Sequence, residues 1–369
     1  MGIEGRRVVE SEFDLRTNVK KLKELFERSL SSHAVAQTDA GKEFDAIEDV
    51  LDAKVISASP ASAAGRDSEV MLLTVRSNRQ IDEEVAVKFH RPANSSNGSS
   101  TTSGLFHAEN EYRALRRLWP EFRDSNSLRI PKPLALIPEQ AAVVTERCSG
   151  IRLDHLIRFR AVSFLSSDSE LVKVFETVGI WLSRFHSVTD DGRSAEGALE
   201  RLRSEFAQDL SVCRTLSFEP QLLDMVEDHF ERDRHIIQEN HGVVVSEHCD
   251  FGPHNIFVDG EKITLIDFEG IRDGFIYGDL SYFLCLVDLM PSYHLNGPQK
   301  VRLKDAFLRG YGSRHEIADE VLRLYAVPTL IKLAAHNPVF LEARSTTAKL
   351  RARMQLRAYT KQLKELVGG

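Results

Sequence analysis

Cysteine is scarce in this chain, and its four cysteines (Cys148, Cys213, Cys249, Cys285) stand far apart with no paired spacing. That excludes a disulfide frame and reads as reduced thiols of a cytosolic protein. No apolar run approaches the roughly 18 residues a helix needs to span a membrane. Positive charge is not in excess either: the formal net charge is −7, which removes any global argument for nucleic acid as a partner. The opening "MGIEGRRVVESEFDLRTNVKK" lacks the apolar core of a secretory signal, and Arg6 stands where a myristoylation site has serine or threonine. These features point to a cytoplasmic location. What is present is ordinary for a globular protein, 42% hydrophobic and 28% charged residues, in a chain of 369 that can bury a full core.

The hydrophobic period changes along the chain. Val19, Leu22, Leu25, Phe26 and Leu30 recur at helical spacing, and "KEFDAIEDVL" predicts a second helix, so residues 1–50 read as a helical extension. "AKVISAS", "EVMLLTVRS" and "EEVAVKFHR" predict three antiparallel strands. The Ser/Thr/Asn/Gly-rich segment 92–104 predicts a flexible loop. A charged helix, "HAENEYRALRRLW", and two more strands ending near Glu146 complete a strand-rich part, 51–148. From 149 to 369 the pattern is helical, interrupted by "GVVVSEHCDFGPHNIFVDGEKITLIDFEG". There "NIFVDGEKITLIDF" predicts a hairpin, with Asp259-Gly260 as its turn signal.

Phosphoryl transfer from ATP to a hydroxyl needs few protein groups. They are a cation on the donor phosphates, hard oxygen ligands for Mg²⁺ and a carboxylate facing the acceptor. Lys88 lies inside the apolar strand "VAVKFH", where a lysine is either a snorkelling edge residue or a phosphate-binding cation. Glu111 on the next helix is spaced to pair with it; Glu109, two positions earlier, is the competitor on another face. Asp250 and Asn255 form His-X-Asp-X-X-X-X-Asn, and Asp267 follows the apolar "ITLI", where a carboxylate is costly to bury without a cation or hydrogen bonds. His248, Cys249, Asp250 and His254 also offer mixed metal ligands, but no second pair at zinc-like spacing accompanies them.

Taken in order, "VAVKFH", "ENEYRALRRL", "HCDFGPHNIFV", "ITLIDFEG" and "YGDLSYFL" resemble the aminoglycoside phosphotransferase and choline kinase-like family. The resemblance covers residues 50–290 clearly. It implies an α+β, bilobal protein-kinase-like fold, with a small antiparallel-sheet N-lobe that binds ATP and a larger helical C-lobe. It implies ATP and Mg²⁺ as cofactors and a small-molecule kinase activity. By resemblance Lys88 is the ATP-phosphate lysine, Glu111 its partner, Asp250 the catalytic aspartate, and Asn255 and Asp267 the magnesium ligands. His248 braces the catalytic loop and Asp279 anchors it. Glu146 to Cys148 correspond to the hinge that receives adenine. Gly65 belongs to the phosphate-covering loop "SASPASAAGRD", which lacks Gly-X-Gly-X-X-Gly, and Glu269 stands where a protein kinase has glycine.

Only 12 residues separate Asp267 from Asp279, and no Ala-Pro-Glu follows, which disfavours a protein substrate and favours a small molecule, a sugar or a glycan intermediate. Phe275, Tyr277, Tyr282, Phe283 and Tyr293 are available for an aromatic cage around a choline-type cation. Seven basic residues against two acidic ones in 341–369 read as a solvated helix face or as a contact for an anionic partner, a phosphorylated or acidic sugar or lipid headgroups. The alternative function is a non-catalytic nucleotide-binding scaffold of the same fold, motivated by the atypical phosphate loop and the N-terminal extension.

Overall fold

The computed structural model describes residues 40–61, 68–90, 101–162, 168–190, 194–240, 244–291, 294–312, 316–341 and 346–368. The expected helix at 16–31 and Gly65 lie outside them. The chain divides into two compact units, one of Met1–Ser59 and Leu73–Glu84, the other of Pro60–Leu72 and Val85–Gly369.

In the first unit, helix α1 (Ala40–Leu51) leads into strand β1 (Ala53–Pro60). Glu48 ties the two, accepting from Val55 N–H at 2.8 Å and Lys54 Nζ at 2.5 Å. A tight turn joins the ends of β2 (Ser68–Ser77) and β3 (Asp82–His90), closed by Ser77 N–H on Ile81 O and by a two-bond Arg76–Asp82 ion pair.

In the second unit, the remainder of β3 pairs antiparallel with β6 (Ala142–Glu146), and β6 with β5 (Pro133–Ile137). Helix α2 (Thr101–Phe122) packs on β5 and β6. It begins inside the segment expected to be a loop: Thr101 to Gly104 are helical. Gly104 permits this, because a Cβ there would lie 2.5 Å from His90 O. The helix lies on the sheet at a spacing that only a residue without a side chain allows.

The rest of the unit is mostly helical. After the short strands β4 (Leu128–Arg129) and β7 (Ile151–Arg152) come α3 (Leu153–Val162), α4 (Asp168–Thr189), α5 (Glu196–Thr215) and α6 (Pro220–Asn240). Strand β8 (Val244–Glu247), the hairpin β9 (Ile256–Asp259)–β10 (Lys262–Leu265) and β11 (Arg272–Phe275) follow. Helices α7 (Ile276–Leu289), α8 (Gly297–Gly312), α9 (Asp319–Ala335), α10 (Pro338–Leu341) and α11 (Thr346–Val367) end the chain. The hairpin forms with Asp259 opposite Lys262, so its two-residue turn is Gly260-Glu261, one position after the Asp259-Gly260 signal, with Gly260 at φ +61°. On basic α11, Lys364 pairs with Glu219 at 2.8 Å and Lys361 with Glu365 at 3.7 Å.

An aromatic core holds the loops between these strands. Trp181, Phe251, Phe268, Phe283 and Phe307 are all fully buried. Phe251 and Phe268 each follow a site aspartate in the chain, and their rings lie 6.1 and 6.5 Å from Trp181. Burying a phenylalanine side chain contributes about 1.5–3 kcal/mol, so each aspartate is fastened to the core by its neighbour.

Candidate active site

Strand period brings Lys88 and His90 to one face of β3. Helix α2 lays Glu111 against them, and the turn after β10 supplies Asp267 and Glu269. Lys88 Nζ lies 2.5 Å from Asp267 Oδ1, 3.0 Å from Glu269 Oε2 and 3.1 Å from Glu111 Oε2. Burial opposes the Lys88 charge, but the three carboxylates outweigh it and raise its pKa. His90 bridges two of the same acids, Nε2 to Glu111 at 2.9 Å and Nδ1 to Glu269 at 3.0 Å. Lys88 and His90 thus face three carboxylates. Asp267 registers the imbalance: burial raises its pKa, and the charges of Glu111 and Glu269 raise it further against the pull of Lys88.

The residues from Asp250 to Asn255 meet this cluster through the backbone. Ile266 N–H donates to Asn255 O at 3.0 Å, so the residue before Asp267 is bonded to Asn255. Asn255 Nδ2 donates to Asp250 O at 3.0 Å and to Asp250 Oδ2 at 2.9 Å, so its amide nitrogen, not its oxygen, is engaged by Asp250. Tyr282 O–H donates to Asp250 Oδ1 at 2.6 Å, and His254 Nε2 lies 3.2 and 3.1 Å from the two oxygens. Burial pushes the Asp250 pKa up, yet His254 and the Tyr282 hydrogen bond prevail and hold it at about 2. The carboxylate is therefore an anion at neutral pH.

Asp279 grips the loop from below. His248 N–H donates to its Oδ2 at 2.7 Å and Cys249 N–H to its Oδ1 at 3.0 Å, while His186 Nε2 sits 3.2 Å away. His248 Nε2 bonds Ile266 O at 3.0 Å, linking the two loops. Cys249 and Asp267 both have left-handed backbones, φ +69° and +72°, which cost a non-glycine residue of order 1–3 kcal/mol unless the surroundings impose them. The two Asp279 bonds hold the Cys249 turn.

A model described as the phosphotransferase enzyme family matches residues 80–325. The chain belongs to this phosphotransferase family. Among curated proteins none matches it. Solved structures share its fold. An amicoumacin kinase in complex with AMP-PNP, Ca²⁺ and Ami is 15% identical, with TM-score 0.52, covering 82% of this chain and 88% of that one. An ADP-bound aminoglycoside phosphotransferase, APH(2'')-Ib, is 14% identical with TM-score 0.54, covering 88% and 99%. The choline kinase LicA from Streptococcus pneumoniae is 14% identical with TM-score 0.53, covering 87% and 97%.

Within this phosphotransferase the structure joins Glu111, not Glu109, to Lys88. Glu146 ends β6 opposite Val85, three residues along β3 from Lys88 or about 10 Å; Cys148 follows it, its thiol pushed up to about 12 by burial. The zinc-like set does not assemble: the His248 ring bonds Ile266 O, and Cys249 Sγ faces Glu247. Nor do the described aromatics form a cage: Tyr282 alone stands beside Asp250. Phe275, Tyr277 and Phe283 are buried in the core, and Tyr293 lies outside the described residues.

Sequence reasoning missed His90 as a site residue and left Glu269 as a departure without a role. The available signal was strand period two, which puts His90 on the face of Lys88. The roles of Tyr282 and His254 toward Asp250 had a weaker signal, one turn of helix and one tight turn.

Proposed function

We propose that this phosphotransferase is an ATP- and Mg²⁺-dependent kinase that phosphorylates a hydroxyl of a small molecule, of the sugar or glycan-intermediate class. The observation that carries the reading is the gathering of Lys88, Asp267, Asn255 and Asp250 from three remote segments into one bonded group.

The donor set suits Mg²⁺: an Asp267 carboxylate, short of positive charge, and the Asn255 amide oxygen are hard oxygen ligands. A bound Mg²⁺ would neutralise phosphate charge as it develops. Lys88, held by Glu111, is assigned to the donor phosphates. Backbone groups from Glu146 to Cys148 are assigned to adenine, at a distance from Lys88 that matches a nucleotide's span. Gly65 and its loop are assigned to cover the phosphates. Asp250 orients the acceptor hydroxyl. The acceptor oxygen forms a bond to the γ-phosphorus, the bond from γ-phosphorus to the bridging oxygen breaks with its electron pair leaving on ADP, and the hydroxyl proton passes to Asp250. With a pKa of about 2, Asp250 aligns the proton and takes it only as transfer proceeds. His248 and Asp279 keep the loop in place.

The core positions of Phe275, Tyr277 and Phe283 argue against a quaternary ammonium acceptor. Among the described residues no helix is long and apolar enough to cross a membrane, and we assign the protein to the cytoplasm. Any surface contact of α11 with an anionic partner rests on its basic residues beyond Lys361 and Lys364.

The test is Mg-ATP turnover against sugars, amino alcohols and aminoglycosides, with Asp250→Asn alongside. We expect this variant to lose about 10²–10⁴ in kcat while still binding Mg-ATP. Unchanged turnover in the variant would sink the assigned mechanism. Tight Mg-ATP binding with no phosphorylated product from any acceptor would favour the non-catalytic scaffold.

A further inference from the structure

Beside the catalytic loop, α5, β8, β11, α7 and α9 enclose a cavity of about 60 Å³. It is lined by Cys249, which precedes Asp250, and by Tyr282, which bonds Asp250. Its volume holds roughly four to six water-sized groups, enough for one end of a small molecule.

The acids of this cavity are already engaged. Glu205 accepts both terminal nitrogens of Arg272, and Asp209 Oδ1 lies 2.9 Å from His336 Nε2. Glu247 accepts Phe275 N–H at 2.8 Å and is wedged against two glycines, where a Cβ on Gly274 or Gly278 would come within 2.1 or 2.2 Å of its carboxyl group. Burial and the nearby Asp279 charge push Glu247 up to about 7, so it carries only part of a charge at neutral pH.

Some donor atoms are left over. Tyr325 is 2% exposed, lines the cavity, and its hydroxyl has no hydrogen-bond partner; Arg272 Nε has none either. Lys332 Nζ donates to Cys249 O at 3.2 Å and stands 5.5 Å over the Tyr282 ring, with two further protons to give. A buried donor left unpaired costs about 1–3 kcal/mol. The two unpaired donors, the Tyr325 hydroxyl and Arg272 Nε, together with the remaining protons of Lys332 around one small space, fit a ligand that brings acceptor oxygens.

We propose that this cavity is the acceptor subsite of the kinase, and that the acceptor is a small hydroxylated compound carrying a compact oxyanion such as a carboxylate, a hydroxy acid or sugar acid. Resting on the phosphotransferase reading above, this sets Tyr325, Lys332 and Arg272 on the oxyanion and the neighbouring hydroxyl toward Asp250. Polycationic and quaternary ammonium acceptors are disfavoured, because the cavity has no unengaged acid to receive them.

The experiment compares each acid with its neutral parent on the full chain: D-glycerate with glycerol and D-gluconate with D-glucose, with glucosamine, choline and kanamycin added. Turnover and thermal shift are both read. At least one acid is expected to exceed its parent by about tenfold or more in kcat/KM. Tyr325→Phe and Lys332→Met are expected to raise KM for that acid about tenfold, with kcat within about threefold and KM for ATP unchanged. Preference for the neutral or amino compounds, or an unmoved KM in both variants, overturns the proposal. Turnover of kanamycin or choline alone keeps the phosphotransferase reading and removes this one. An acid that raises the melting temperature of the wild type but not of the variants, without turnover, keeps the subsite and removes the kinase reading. Neither shift nor turnover with any acid overturns the subsite.

Discussion

Lys88 Nζ and Asp267 Oδ1 lie 2.5 Å apart although 179 residues separate them in the chain. The pair belongs to a cluster in which one lysine answers three carboxylates, and the lysine side chain is only 15% exposed. Removing the lysine leaves Glu111 buried with only His90 against it. Lys88→Met should therefore destabilise the fold by about 3 kcal/mol or more in urea unfolding. Adding Glu111→Gln should recover part of that loss, because it removes the stranded charge. Additive effects of the two substitutions would show that the pair is not coupled.

The cluster should also give stability two pH limits. Against the push of burial, the His90 hydrogen bond and the Lys88 charge depress Glu269 from 4.5 to about 2. Its contribution is complete above about pH 4.5 and is lost as pH falls toward 2. His90 is raised above 6.5, because its contacts to the Glu111 and Glu269 carboxylates outweigh the opposing effect of burial. Its contribution is complete below about 6.5 and disappears as pH rises through the raised value. Guanidinium melts across this range should plateau between these limits. His90→Gln should flatten the alkaline decline, and Glu269→Gln the acid one.

Tyr282 tunes the group proposed to receive the acceptor proton. Its hydroxyl bond to Asp250 is one of the interactions that hold the carboxyl at about 2. Tyr282→Phe should move the acid limb of kcat/KM to higher pH and lower kcat by about tenfold. An unshifted acid limb would show that Asp250 does not govern it.

Backbone conformation at Cys249 gives a prediction independent of catalysis. At φ +69° a β-branched side chain clashes with its own backbone, whereas glycine is at ease. Cys249→Val should cost about 1–3 kcal/mol and Cys249→Gly should be neutral or stabilising by up to about 1 kcal/mol in urea unfolding. Equal stability of the two variants would refute the strain.

The cluster and the cavity differ in how far they could be read from residue order. Local rules carry the strands, the hairpin turn at Gly260 and the helices, because hydrophobic period and turn chemistry act over a few residues. Lys88 and Asp267 were legible too, since each sits in an apolar run that makes an ionisable side chain conspicuous, and Asp250 and Asn255 through their spacing after His248. Thr101 to Gly104 were misread as loop because their polar composition hid a glycine needed for close packing on His90.

Choices that depended on contact lay beyond sequence. Glu109 and Glu111 are equally acidic and two positions apart; only the packing of α2 on β5 and β6 turned Glu111 onto the lysine. Glu269 looked like a departure until His90 and Lys88 were found against it. Tyr325, Arg272 and Lys332 carry no motif, and their common cavity exists because α5, α9 and β11 close around Glu247. Residue order alone determined which side chains were available and on which local face each stands. Tertiary structure alone decided which of them share a space, because hydrogen bonds and ion pairs act within a few ångströms and the partners here lie tens to hundreds of residues apart.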